Sequence, residues 1–170
     1  PDTILVSLML VNNETGAIND ISSVSKLLKS SGSPALLHTD AVQAFMKIPF
    51  TPKSLGADMI SVSGHKIHAP KGIGALYVRS GLRLKPYIMG GSQEDGRRAG
   101  TEAMPQIAAF GEACRIAKEN LAENAAKMAA LRQLTIDTLT PAIPELQVIN
   151  GAAPHILSIS LPGWRSEVLM

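Results

Sequence analysis

The sequence predicts an α/β fold: a mostly parallel sheet with flanking helices, followed by a long helix that leads into the start of a smaller α+β unit. Two observations carry this expectation. Short apolar, β-rich runs alternate with helical periodicity through residue 79, and an apolar repeat of three to four residues then persists from 106 to 140, far too long for a strand.

Taken in order, "TILVSLML" (3–10) is apolar on both of its alternating faces, as a strand buried on both sides requires. "NDISSVSKLLKSSG" sets Ile21, Val24, Leu27 and Leu28 on one helical face and ends at Gly32, which suits a C-cap. "ALLHT" (35–39), "DMISVS" (58–63) and "IGALYVR" (73–79) are further short runs bounded by polar, Gly or Pro turns. Strand, helix, strand in that order argues for parallel pairing, and ligands of such sheets bind beyond the carboxyl ends of the strands. From 106 to 140 the repeat Ile107, Phe110, Cys114, Ala117, Leu121, Ala125, Met128, Leu131, Thr135, Leu139 predicts one amphipathic helix, with Pro105 near its first turn and Pro141 just beyond its end. "PHILSISLPG" (154–163) alternates as a strand does, and Ser166 suits the N-cap of a final helix. The expected division is residues 1–104 as part of a larger domain, and 105–170 as connecting helix and the start of a second.

Composition limits the function. The 170 residues are 45% hydrophobic and 18% charged, with a formal charge of +2 and scattered basic residues, so nothing favours nucleic acid as a partner. The longest apolar run, Ile4 to Val11, is interrupted by Ser7 and falls short of the ~20 residues of a membrane span. A single cysteine, Cys114, excludes an internal disulfide and fits a reducing, cytoplasmic setting. Beginning at Pro1 and ending in an opening helix, the chain reads as a piece of a longer protein.

The residues that close the first three runs suggest chemistry. Val11 is followed by Asn12, Asn13 and Glu14; "ALLHT" delivers Asp40 and then Gln43; "DMISVS" delivers Ser63, His65 and Lys66. Each has an ordinary reading: Asn13 a turn residue, Asp40 an N-cap, His68 a loop residue, Lys66 a solvated lysine. Their convergence at one sheet edge is what pyridoxal phosphate catalysis wants. A lysine forms the Schiff base, and a carboxylate keeps the pyridine nitrogen protonated so that the ring accepts electrons. Asp40 suits the second task, Gln43 on the first turn of a helix suits the phenolic oxygen, and Ser63 and His65 suit the phosphate.

The motifs "LVNNETGAI", "HTDAVQAF", "SVSGHKIHAPKGIGALYVR" and "GGSQEDGRRAGTE" resemble, in order and spacing, those of the cysteine desulfurases, class V members of the fold-type I pyridoxal phosphate enzymes. The resemblance implies that Lys66 is the Schiff-base lysine, Asp40 the partner of the pyridine nitrogen and Gln43 the contact to the phenolic oxygen. Asn13 would lie near the substrate carboxylate and the ring, and Ser63 and His65 at the phosphate. Thr101 would complete the phosphate site of a neighbouring subunit, which implies a homodimer. Arg98, just before that turn, is expected to face the same anion. The implied reaction converts L-cysteine to L-alanine and passes sulfur, through an enzyme persulfide, to an acceptor protein for iron–sulfur clusters or another pathway. The family's phosphate loop and ring-stacking histidine would lie upstream, and its nucleophilic cysteine and carboxylate-binding arginine downstream, so the piece alone should be inactive.

Other readings stay open at this point. A class V aminotransferase or a selenocysteine lyase shares the same motifs. His38 with Asp40, and His65 with His68, could be metal ligands of a hydrolase, and a non-catalytic interaction domain could keep the fold. Cys114, on the apolar face of the long helix beside Phe110 and Ala117, is expected to be a structural residue and not the sulfur-accepting thiol.

Overall fold

The computed structural model describes residues 2–169. Four strands form one sheet in the order β1 (Leu5–Met9), β2 (Leu36–Asp40), β3 (Met59–Ser63) and β4 (Gly74–Val78). The first three are parallel, and β4 runs antiparallel to β3. The reversal has a simple cause. Residues 64–73 are too few for a crossover, which takes about a dozen residues or more, but enough for a broad hairpin.

Helix α1 (Ile21–Ser30) crosses between β1 and β2. Asp20 starts it by accepting hydrogen bonds from the Ser23 amide, the Ser23 hydroxyl and the Ser22 hydroxyl, and these hold its carboxyl down at about 2. Gly32, at φ +65, turns the chain out of the helix as expected, with Ser33 N–H returning to the Leu28 carbonyl. Ile21 is buried and Leu27 exposed, so the helix packs on one side of the predicted face only. A one-turn helix, α2 (Pro52–Leu55), precedes β3. The core lies between sheet and helices around Val11, Ile21, Leu37, Ala41, Ala44 and Ile60, and Ala153 joins it from the far end of the chain.

The single helix expected over 106–140 is two: α3 (Met104–Glu119) and α4 (Leu121–Ala142). Asn120 is the break. Its side-chain amide donates to the Ile116 carbonyl at 2.9 Å and competes with the main chain for that acceptor. The covered stripe nevertheless continues from Phe110, Cys114 and Ala117 into Leu121, Ala125 and Met128. Beyond that it shifts by one position, covering Arg132 and Ile136 and leaving Leu131 and Thr135 exposed. Pro141 lies inside the last turn of α4, not after it. The predicted strand 154–163 shortens to β6 (Ser158–Ser160), paired antiparallel with β5 (Gln147–Ile149). Ser166 is the first residue of α5 (Ser166–Leu169) rather than its cap, since Val168 N–H bonds to the Arg165 carbonyl.

Candidate functional site

Parallel register builds the site. Met9, Asp40 and Ser61 are Cα partners across β1, β2 and β3. One step on, Leu10 N–H bonds to the Asp40 carbonyl at 2.8 Å, and Ala41 N–H to the Ser61 carbonyl at 2.9 Å. β1 and β2 therefore end level, β3 runs on from Ser61 to Ser63, and the residues that follow all three emerge at one edge.

Beyond β1, Asn12 and not Asn13 organises the turn. Its side-chain oxygen accepts from the Glu14 amide, the Thr15 amide and the Thr15 hydroxyl at 2.8–3.0 Å, leaving Asn13 exposed at the edge. Beyond β2, one Asp40 oxygen accepts from Val42 N–H at 2.9 Å, and its second takes no hydrogen bond among the described residues. Asp40 thus caps a turn, not the helix of its ordinary reading, and has a free oxygen besides. Gln43 is half-buried in the segment 41–48, which forms successive hydrogen-bonded turns and not the helix expected there. Met46, at φ 55, interrupts any regular helix in that segment.

Beyond β3 the chain enters a 3-10 turn, Gly64–Ile67. The Ser63 hydroxyl and His65 Nδ1 lie 2.7 Å apart, so the two side chains form one hydrogen-bonded pair with the other ring nitrogen turned outward. Lys66 is exposed, while Gly64 and Ile67, on either side of His65 and Lys66, are buried. A Cβ on Gly64 would stand 2.8 Å from Ile73 Cγ2, 3.0 Å from Ala69 Cβ and 3.1 Å from Phe110 Cδ2. The turn that carries Lys66 is therefore clamped between the hairpin and α3. Phe110 in turn packs on Phe45 of the 41–48 segment, with centroids 6.2 Å apart and planes tilted by 51°. Aromatic packing thus ties Lys66 to the loop that carries Gln43.

Among the described residues no hydrogen bond joins Thr101 to this group. It sits on an exposed loop fixed by Ala99 N–H to the Ile88 carbonyl and Gly100 N–H to the Gln93 side chain. Arg98 is exposed on the same loop. A metal reading finds little support in the geometry. His38 spends both ring nitrogens on serines, Ser7 at 2.7 Å and Ser61 at 2.8 Å, in a polar ladder across three strands. Among the described residues no three His, Cys, Asp or Glu side chains converge.

Two features at the site had no signal in the sequence reading. Lys47 is half-buried close enough to Lys66 that its pKa falls below the ordinary lysine value, by burial first and by the Lys66 charge second. His155 comes from beyond α4, and its two ring nitrogens are buried without a hydrogen-bond partner. Burial, then Lys47, then Lys66 disfavour its charge, while the Gln43 carbonyl lies close enough to favour it without the alignment of a completed hydrogen bond. "PHIL" reads as strand in the sequence, and only tertiary packing puts this histidine here.

A cavity of about 770 Å³ opens instead on the β3–β4 face, lined by Phe45, Phe50, Ile60, Leu76, Tyr77 and Phe110 among others. Its walls are largely carbon and contain none of the strand-end polar groups. Among the described residues no helix is long and apolar enough to cross a membrane.

Residues 1–170 match the family described as aminotransferase class-V. A cysteine desulfurase of Nostoc sp. is 47% identical over 99% of this chain, and the cysteine desulfurase IscS of Serratia proteamaculans is 42% identical over 99% of it. The chain spans 42% of the length of each of those two relatives. Among solved structures, a NifS-like protein from Rickettsia africae superposes with a TM-score of 0.90 at 34% identity, covering 98% of this chain and 46% of that one. SspA in complex with cysteine superposes with a TM-score of 0.64 at 41% identity, covering 68% and 33%. The fold is that of the NifS-like, fold-type I enzymes.

Proposed function

The chain belongs to the aminotransferase class-V family, and we propose that it is part of a pyridoxal 5'-phosphate-dependent cysteine desulfurase. The whole protein would convert L-cysteine to L-alanine and pass the sulfur, through a persulfide on the enzyme, to an acceptor protein. The observation that carries this reading is the placement of Asp40 at the end of β2 and of the Ser63–His65 pair and Lys66 just beyond the end of the neighbouring parallel strand β3. The names of the cysteine desulfurase relatives, and the cysteine bound to SspA, support the choice of substrate.

The residues fit the cofactor group by group. Asp40 keeps one carboxylate oxygen without a partner among the described residues, as a carboxylate awaiting a ring N–H would. The Ser63–His65 pair leaves its second ring nitrogen available to an anion, and Lys66, the next residue in the chain, is exposed. Bound there, pyridoxal phosphate supplies an electron sink for bond-breaking on an amino acid. Lys66 Nζ would hold it covalently and, when released, carry a proton to or from the substrate carbon. Asp40 would stay ionised and keep the pyridine nitrogen protonated. The Gln43 side-chain amide would donate to the phenolic oxygen, Ser63 and His65 would bind the phosphate, and Asn13 would orient the substrate carboxylate beside the ring.

Other assignments follow from the resemblance. Thr101, exposed and remote by hydrogen bonding from the strand-end groups, is assigned to the phosphate site of a second copy, which makes the whole enzyme a homodimer. We divide the chain near residue 104, where the larger domain would give way to the connecting helices and the start of the smaller one. The cytoplasm is the proposed setting and iron–sulfur cluster assembly the proposed destination of the sulfur. Cys114 is half-buried, and burial raises its thiol pKa, the reverse of what a sulfur-accepting nucleophile needs. That nucleophile is therefore assigned to the part of the whole protein outside this chain, and the chain alone should release no sulfide.

The test is spectroscopic. The whole protein purified with pyridoxal phosphate should absorb in the visible and release sulfide from L-cysteine. Lys66→Ala should lose both, and a variant that kept its absorption band would remove Lys66 from this role.

A further inference from the structure

His155 is pinned from several sides. From α4, Arg132 donates through Nε to the Ile156 carbonyl at 3.1 Å and through Nη2 to the Gly151 carbonyl at 2.9 Å. From the other side, Ala153 N–H bonds to the Gly16 carbonyl at 2.9 Å. Gly151 packs so closely on the backbone of Thr15 and Gly16 that no side chain fits, and Ala153 is wholly buried. The loop 151–156 is thus built into the turn that follows β1, the same turn that presents Asn13. Out of this rigid loop comes an imidazole with both nitrogens shut away from water and neither paired. Buried polar atoms are nearly always satisfied, so an orphan on a well-fixed loop marks a group held ready for a partner.

Its surroundings say which partner. The charged groups acting on the ring are Lys47, from the 41–48 segment, and Lys66, from the 3-10 turn; the nearby acceptor is the Gln43 carbonyl. Two cations and a dry environment hold the imidazole neutral, with one N–H donor and one lone-pair acceptor. The donor suits the Gln43 carbonyl, needing only better alignment. The acceptor is then left over, and the two charged groups that act on the ring, Lys47 and Lys66, are both ammonium donors.

We propose that His155 is a positioning residue of the lysine site, its neutral ring anchoring the Gln43 main chain on one side and offering an acceptor to the lysine pair on the other. It would fix Gln43 and Lys66 relative to each other from a part of the chain far away in sequence. This deepens the function proposed above and rests on it for the cofactor, but the state of the ring is a property of the protein by itself.

The experiment has two arms, both on the whole protein. In the first, ¹⁵N NMR of the imidazole is followed against pH without cofactor and then with pyridoxal phosphate. The ring should remain neutral below the ordinary histidine pKa, and its resonances should move when the cofactor binds. A ring that titrates at the ordinary value, or resonances that ignore the cofactor, overturns the proposal even if no variant folds. In the second arm, His155→Phe keeps bulk but removes both nitrogens, and His155→Asn keeps a donor and an acceptor. The Phe variant should bind pyridoxal phosphate about tenfold more weakly, the effect of one lost hydrogen bond, and should shift the pH midpoint of the visible absorption. The Asn variant should restore both. Equal affinity and midpoint in a folded Phe variant would remove the role. If the unaltered protein shows no visible band, the cofactor reading fails, while the cofactor-free titration still tests the ring.

Discussion

Adding one carbon at Gly64 tests whether the Lys66 turn is held by packing. The methyl of Gly64→Ala would meet Ile73 Cγ2 at 2.8 Å, Ala69 Cβ at 3.0 Å and Phe110 Cδ2 at 3.1 Å. None is the free end of a flexible chain: one is a β-branched methyl, one is fixed to the backbone and one belongs to a ring already packed at a tilt on Phe45. Relaxation must therefore move the turn or α3, and overpacking of this kind costs about 1–3 kcal/mol. The same substitution at Gly111, in the middle of α3 with nothing within 4 Å of a new Cβ, should go the other way, because alanine is favoured over glycine in a helix by up to about 1 kcal/mol. Urea unfolding of both variants measures the pair, and titration with pyridoxal phosphate reads the site. Gly64→Ala should lower the midpoint and weaken the visible band, and Gly111→Ala should raise the midpoint or leave it alone. If Gly64→Ala unfolds at the wild-type midpoint with a full band, the clamp on Lys66 does not exist.

Three further outcomes are expected. Asp40→Asn keeps the Val42 hydrogen bond in shape but removes the charge, so the variant should bind pyridoxal phosphate yet lose most turnover with cysteine; normal turnover would refute the carboxylate's role. Cys114→Ala should retain desulfurase activity in the whole protein with a small loss of stability, whereas loss of sulfide release would make Cys114 the nucleophile. Burial raises the Cys114 thiol pKa, so the thiol stays protonated at neutral pH and its alkylation rate should climb only above the pH at which an ordinary cysteine reacts.

What was legible in the sequence was what depends on short range. β1 to β4 follow from apolar runs bounded by turn residues, and parallel order follows from the single helix between the first two. The strand ends were therefore readable as one edge, and in the structure Asp40 ends β2 while Ser63, His65 and Lys66 lie at or just beyond the end of its neighbour β3. The misplacements share a cause: competition inside the chain that periodicity does not weigh. Asn120 looks like any polar residue in a helical repeat, but its side-chain amide joins its own N–H on the Ile116 carbonyl at the point where the helix breaks. Asn13 looked like the turn residue, but Asn12 collects the three hydrogen bonds of that turn, and this leaves Asn13 exposed at the edge.

The second kind of omission concerns distance along the chain. His38 and His155 are both single histidines in apolar surroundings, and nothing local tells them apart. In the fold, His38 is satisfied at both nitrogens by serines of the two adjacent strands, so its polarity is used up inside the sheet. His155 is satisfied at neither and stands beside the lysines. The difference arises only when the loop after α4 returns to the turn after β1, a contact made by Arg132, Ala153 and the bare backbone of Gly151. Such a contact leaves its trace in a glycine that tolerates no Cβ and an arginine turned inward from a helix, residues whose ordinary readings are a loop and a solvated charge. A polar side chain near a strand end can be inferred from the strand; one delivered across the fold is recognised only by what it lacks once it arrives.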